Sequence, residues 1–441
     1  MRVWHPMLLL GVLAAGACDF DISTNPNSPD TIGENPSRAE VAGTANGILL
    51  AFRTDMADFA LDLGIIGREV LRFDGSDPRF TSELLSGPLD PGGDAFGGDH
   101  WADEFAAIRG GNNLLTVLPT AEALTAEEQS ATSGYVKTLQ AYNFLLILNS
   151  HTQDSIPVDV GTDVTAQPPA LVSNAAAYDR VELLLDEGRT ELLAGGAAFP
   201  FPLPPGFSGF DTPATFVQFN RALRARVAAY QADYVTVTTA LAESFIDPAA
   251  PLSRGVYMDY GTGAGDLANP LSIDPQNGEN FAHPSLATGV QLQADGTTPD
   301  LRFTQKIVTR PVSSADGLTS NLGWIRYPSP TTPIPFIKNE ELILLRAEAA
   351  IANGDLAGAL ADINTVRVNS GGLAPLAGFA DATAATDELL YNRLYSLLYE
   401  GAHRWIDARR FGRLAALPVD RPGDAIFSTL PIPTDEVLPR E

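Results

Sequence analysis

Glu340-Glu341-Leu342-Ile343-Leu344-Leu345-Arg346-Ala347-Glu348-Ala349 runs on to Asn353-Gly354-Asp355 and then through Leu356, Leu360, Ile363 and Val366, and this stretch decides the fold. Leu342, Leu345, Ala349 and Ala352 recur at helical spacing and give one apolar face. Asn353-Gly354 ends that helix, because glycine accepts the left-handed cap. Asp355 offers a side-chain oxygen to the first amides of a second helix, whose face is Leu356, Leu360, Ile363 and Val366. Ala347, Ala349, Ala357 and Ala359 are small enough for the two backbones to approach closely. The unit has the size of a tetratricopeptide hairpin, and a single hairpin cannot bury its apolar face without stacked neighbours.

Working outward, a similar hairpin is predicted over 216–245. Phe216, Phe219, Leu223, Val227 and Tyr230 lie on its first helix. Asp233 caps a second helix that carries Tyr234, Val237, Leu241 and Phe245. Further helices are predicted from Ser37 through Phe52, from Asp99 or His100 through Trp101, Phe105 and Ile108, and over about 127–150 and 176–194. A last long helix is expected from Asp387 to Phe411. On it Leu398 and Trp405 share a face, and Arg404, Asp407 and Arg410 neighbour one another in a fold-holding role.

Two segments break the pattern. Between Asp62 and Gly98 the chain carries Gly87-Pro88, Pro91-Gly92-Gly93 and Gly97-Gly98. Residues 247–335 are rich in Gly, Pro, Asn and Asp, with a β-like run from Phe303 to Val308. An interruption that long carries function or structure of its own. Aromatic rings on such loops can stack on sugar faces while charged neighbours read hydroxyls. Phe73, Phe80 and Phe96 are such rings in the first excursion, with Arg72, Asp74, Asp77 and Arg79 beside them. Tyr257, Tyr260, Phe281, Trp324 and Tyr327 are their counterparts in the second, with Arg326 adjacent. The competing reading is that the rings pin the loops to the scaffold.

The N-terminus is equally legible. Arg2 precedes the apolar run Met7 to Ala15, too short to span a bilayer, and Ala15-Gly16-Ala17 leads into Cys18, the only cysteine. This reads as an export signal over 1–17 cut before a cysteine that takes lipid. Residues 18–37, with Asn25-Pro26, Ser28-Pro29 and Asn35-Pro36, form an extended tether. The folded body is then 38–441, with an N-terminal part at 38–250, the loop excursion at 247–335 and a C-terminal part at 336–441.

Composition excludes several classes. Apolar residues make up 45% of 441, enough for a sizeable core. The net charge of −26, with Lys137, Lys306 and Lys338 the only lysines, repels nucleic acid and anionic lipid, so membrane contact falls to the lipid anchor alone. No Gly-Lys-Ser/Thr phosphate loop and no Gly-x-Ser-x-Gly elbow occurs. Gly261-Thr262-Gly263-Ala264-Gly265 lacks the setting of a phosphate loop, and His5, His100, His151, His283 and His403 lack metal spacing. The acidic loops at Asp90–Asp99 and Asp274–Glu279 carry oxygen ligands without the spacing of a calcium loop. No cofactor and no metal is expected.

Taken together, these motifs resemble the SusD/RagB outer-membrane lipoproteins. The hairpin at 340–367 is similar to that family's signature hairpin, and Tyr399-Glu400-Gly401-Ala402-His403-Arg404-Trp405-Ile406-Asp407-Ala408-Arg409-Arg410-Phe411-Gly412 to its C-terminal helix. Leu430-Pro431-Ile432-Pro433 with Glu436 resembles its closing segment, and Trp101, Asn112-Asn113-Leu114 and the 216–245 hairpin fit as well. The resemblance implies a mainly α chain whose tetratricopeptide-like hairpins form a right-handed superhelical scaffold, with long irregular or short-strand excursions. It implies a lipoprotein anchored at the outer-membrane surface through Cys18. Such a protein binds an oligosaccharide or other small nutrient without catalysis and passes it to a TonB-dependent transporter barrel. The candidate ligand residues are Arg72, Asp77, Arg79, Phe80, Tyr257, Tyr260, Trp324 and Tyr327. The alternatives are a secreted helical glycoside hydrolase, which needs a carboxylate pair in a cleft, and a tetratricopeptide adaptor for proteins.

Overall fold

A computed structural model describes residues 32–92, 96, 98–151, 155–163 and 165–437. The export signal, Cys18 and most of the tether lie outside the described residues.

Helices dominate. In chain order, α1 (Arg38–Ile66) is followed by β1 (Val70–Arg72), α2 (Arg79–Ser86), α3 (Asp99–Val117), α4 (Ala126–Ser150), β2 (Ile156–Pro157), β3 (Leu171–Val172), α5 (Asn174–Leu193), α6 (Pro213–Tyr230) and α7 (Tyr234–Ala242). The long excursion then supplies β4 (Gly255–Met258), β5 (Asn280–Ala282), α8 (Ser285–Thr288), α9 (Leu301–Lys306), β6 (Ile307–Ala315), β7 (Leu318–Trp324) and β8 (Ile334–Lys338). The chain closes with α10 (Asn339–Ala352), α11 (Leu356–Asn369), α12 (Ala382–Ser396), α13 (His403–Arg410) and α14 (Thr434–Val437).

Successive helices pack on one another, α3 on α1, α4 on α3, α5 on α4, α6 on α5 and α7 on α6; α10 then packs against α6, α7, α11 and α12. This is the stacked-hairpin scaffold the sequence predicts. The predicted caps form. Ser37 and Glu40 make a reciprocal capping box at α1, Asp233 accepts from the Thr236 amide (3.1 Å), and Asp355 accepts from the Gly358 amide (2.8 Å).

α10 is more deeply placed than its predicted stripe requires. Leu342, Leu345 and Ala349 face the main core, whereas Ile343, Leu344, Ala347 and Ile351 form a second core with Ala359, Ile363 and Val366 of α11 and Ala385 and Leu389 of α12. Ala352 and Ala357 are exposed. Apolar side chains on two faces thus place α10 between two cores. The buried Arg226–Glu341 pair (2.6 Å) ties α6 to α10.

The sheet joins the two excursions. Its strand order is β1-β5-β7-β6, and every pairing is antiparallel. Val70 pairs with Ala282 and Arg72 with Asn280, so the first excursion is hydrogen-bonded to the second. β4 pairs separately with β8.

Three expectations are corrected. The first excursion starts later than predicted, because α1 continues to Ile66, and it contains α2. The Phe303–Val308 run is not all strand: Asp300 caps α9 by accepting from the Arg302 amide (2.9 Å), and β6 starts only at Ile307. The long closing helix is broken into α12 and α13. Tyr399 (φ 61°) and Ala402 (φ 56°) adopt left-handed backbone around Gly401, so Leu398 sits in the turn and shares no helical face with Trp405. The cause is tertiary. The fully buried Glu69 accepts from the Tyr399 amide (2.7 Å) and the Arg404 amide (3.1 Å), two donors a continuous helix would have spent internally. Asp407 does meet Arg410 (3.0 Å) and also Arg393 (2.6 Å), while Arg404 turns away to the Arg68 carbonyl and Ser285.

Candidate functional site

The broken helix has a consequence for chemistry. It places Glu400 at the floor of a cleft of about 880 Å³ between the second excursion and the C-terminal hairpins. The wall is built from the Pro248–Ser253 segment, both ends of α9, Arg326, the start of α10 and the ends of α11 and α12.

Three cations converge on Glu400. Lys338 at the end of β8 lies 2.6 Å from one carboxylate oxygen. Lys306 (3.2 Å) and the Nε of Arg326 (2.9 Å) share the other. Burial opposes the charge on Glu400, but Lys306, Lys338 and Arg326 outweigh it and hold the carboxyl far below its ordinary range. Lys306 also donates to the carbonyls of Tyr395 (3.0 Å) and Ser396 (2.7 Å), closing the C-terminus of α12. Burial lowers its ammonium to about 8, against the pull of Glu400. Glu340 accepts from the Ser396 hydroxyl (2.7 Å), which also accepts from Arg302 (3.0 Å); Arg302 in turn is paired with Asp300 (2.5 Å). The buried charges thus form one connected network, and their geometry is fixed.

The predicted residues divide. Tyr257 on β4 lines the cleft, half-buried, its hydroxyl donating to the Ser253 carbonyl. Arg326 lines the same cleft. Trp324, Tyr327 and Tyr260 are elsewhere. Trp324 is 3% exposed and stacks on Tyr399 (centroids 4.5 Å apart), so no face of its ring is open to a sugar. Buried Tyr327 donates to the Tyr399 carbonyl (2.7 Å), and buried Tyr260 donates to the Arg53 carbonyl (2.6 Å). These three rings pin the second excursion to the scaffold.

The first set forms a different patch near β1 and α2. Arg72 lies over the ring of Phe80 (4.5 Å) and pairs with Asp74 (2.8 Å), whose carboxyl is held at about 2 chiefly by that hydrogen bond. Arg79 lies over Phe96 (5.3 Å) and pairs with Asp77 (2.6 Å); Phe80 and Phe96 meet edge to face at 5.2 Å. Arg72, Asp77, Arg79 and Phe80 therefore satisfy one another and line no part of the cleft. Among the described residues no cluster of His, Cys, Asp or Glu is arranged to hold a metal.

Sequence reasoning missed Lys306, Lys338, Arg302 and Glu400 as site residues. A signal existed: the chain has three lysines, and two of them are buried at one cleft.

No protein-family model matches the chain, and no curated protein matches its sequence. Solved structures do match its fold. A SusD-like protein from Bacteroides fragilis superposes with TM-score 0.71 at 15% identity over 93% of this chain and 97% of its own. A SusD-like carbohydrate binding protein from the same species gives TM-score 0.71 at 14% identity over 91% and 98%. A laminarin binding SusD-like protein gives TM-score 0.66 at 17% identity over 92% and 98%. The chain shares the fold of these solved structures along nearly its whole length.

Proposed function

We propose that this chain is a SusD-like binding lipoprotein that captures an oligosaccharide and passes it, unaltered, to a TonB-dependent transporter barrel in the outer membrane. The carrying observation is the wide, preorganised polar cleft on a fold shared with carbohydrate-binding proteins. Its walls are hydrogen-bonded charges and a half-buried tyrosine, groups suited to sugar hydroxyls and ring faces. The chemistry favours holding over cutting. A glycosidase needs one carboxylic acid kept protonated, whereas Glu400 is held ionised by three cations. Anchoring is assigned to Cys18, and no described helix is long and apolar enough to cross a membrane.

Calorimetry of the purified chain against neutral and acidic oligosaccharides, with product analysis of the same mixtures, tests this reading. Saturable binding with intact sugar is expected. Release of shorter sugars would replace it with the hydrolase. Co-purification from membranes should bring down a large β-barrel; recovery of a soluble protein and no barrel would favour the adaptor.

A further inference from the structure

The cleft is electropositive in a chain whose net charge is −26. Even after Asp300 neutralises Arg302, the cations Lys306, Arg326 and Lys338 outnumber the carboxylates Glu340 and Glu400. Most of these cations are fully committed. Lys306 spends its donors on Glu400 and two carbonyls, Lys338 sits between Glu400, Glu340 and the Ser396 carbonyl, and Arg302 is held by Asp300, Asn392 and Ser396. Arg326 differs. Its Nε donates to Glu400 and its plane lies over Tyr327 (4.7 Å), but neither terminal nitrogen bonds to a described residue, although its side chain is only 16% exposed. The remaining edge of that guanidinium is a rigid two-donor fork on the cleft wall, the geometry a carboxylate accepts end-on. At the rim, exposed Gln305 and Asn369 supply amides for hydroxyls.

We propose that the cleft selects acidic saccharides, with the carboxylate of a uronic-acid residue seated on the terminal nitrogens of Arg326; the inference rests on the cleft being the sugar site. A neutral sugar offers those terminal nitrogens only uncharged acceptors and leaves the cleft's excess of cations over carboxylates uncompensated, and that difference sets the preference.

The test is calorimetric titration of the full chain with trimers of galacturonate, guluronate and mannuronate, each beside its methyl ester. At least one acid should bind about tenfold or more tightly than its ester, the scale of one charge-assisted pair. Arg326→Gln should erase that gap, the acid losing more affinity than its ester. Arg326→Lys keeps the charge without the fork and should retain only part of the gap, which guards against a folding defect in the glutamine variant. Equal affinity for acid and ester, or a gap that survives Arg326→Gln, overturns the inference and leaves oligosaccharide capture standing. Failure to bind any saccharide, neutral or acidic, overturns both.

Discussion

Trp324 shows how a loop aromatic becomes core. Its position in a Gly- and Pro-rich segment marks it as a candidate sugar platform, but β7 carries it into the joint between the sheet and the α12–α13 turn, where Tyr399 covers it. Trp324→Ala should therefore cost about 3–5 kcal/mol of stability in denaturant unfolding, the range for an emptied aromatic site, and leave ligand affinity unchanged in the folded fraction. A weakened affinity with normal stability would restore the platform reading. Asp55 on α1 offers a second test at this scale. It is buried beside Glu104, Asp103 and Asp58, and burial, followed by repulsion from those carboxylates, pushes its carboxyl up to about 9. Between its unfolded value of 3.8 and about 9, the folded chain holds a proton that the unfolded chain releases, so this site loses stability as pH rises through that window. Asp55→Asn should abolish the slope and gain on the order of 1–3 kcal/mol relative to wild type at pH 8, with little gain near pH 4. Melting temperatures of both proteins across pH 4–9 decide it; a gap that does not widen with pH refutes the assignment.

At the scale of elements, the break between α12 and α13 matters most. It converts what a periodic pattern reads as one helix into two, and so turns Glu400 toward Lys306, Lys338 and Arg326. Left-handed backbone at Tyr399 and Ala402 is unfavourable for L-residues and persists because neighbouring contacts over-determine it. Glu69 is the principal contact. Burial raises its carboxyl to about 7 in spite of the two amides it accepts. Glu69→Ala would leave those amides buried and unpaired, an expected loss of about 2–4 kcal/mol, whereas Glu69→Gln keeps an acceptor and should lose less. If alanine and glutamine cost the same, the amide contacts do not hold the turn. The hairpin at 340–367 behaves otherwise. Its boundaries were readable because Asn353-Gly354-Asp355 is local chemistry, whereas the turn at 397–402 depends on a carboxylate more than three hundred residues away.

The whole molecule is an acidic stack of helices that carries an electropositive cleft. The proposed function assigns membrane attachment to acyl chains on a single thiol, and on that proposal Cys18→Ala should leave the fold intact and move the protein from the membrane to the soluble fraction. Retention in the membrane fraction would show a second anchor. Helical periodicity, cap residues and glycine punctuation are written in neighbouring letters, so the sequence alone determined the stacked-hairpin scaffold and the two interruptions in it. The export signal and its cysteine are expectations from the sequence that lie outside the described residues. What only the tertiary structure decided is which interruption residues meet. Rings and charges on loops carry no periodicity, and their partners are chosen by long-range contacts: β1 on β5, Glu69 on Tyr399, Trp324 on Tyr399. Those contacts buried three of the predicted rings, gathered Arg72, Asp77, Arg79 and Phe80 into a self-satisfied patch, and assembled the cleft from lysines and a glutamate that no local pattern distinguishes.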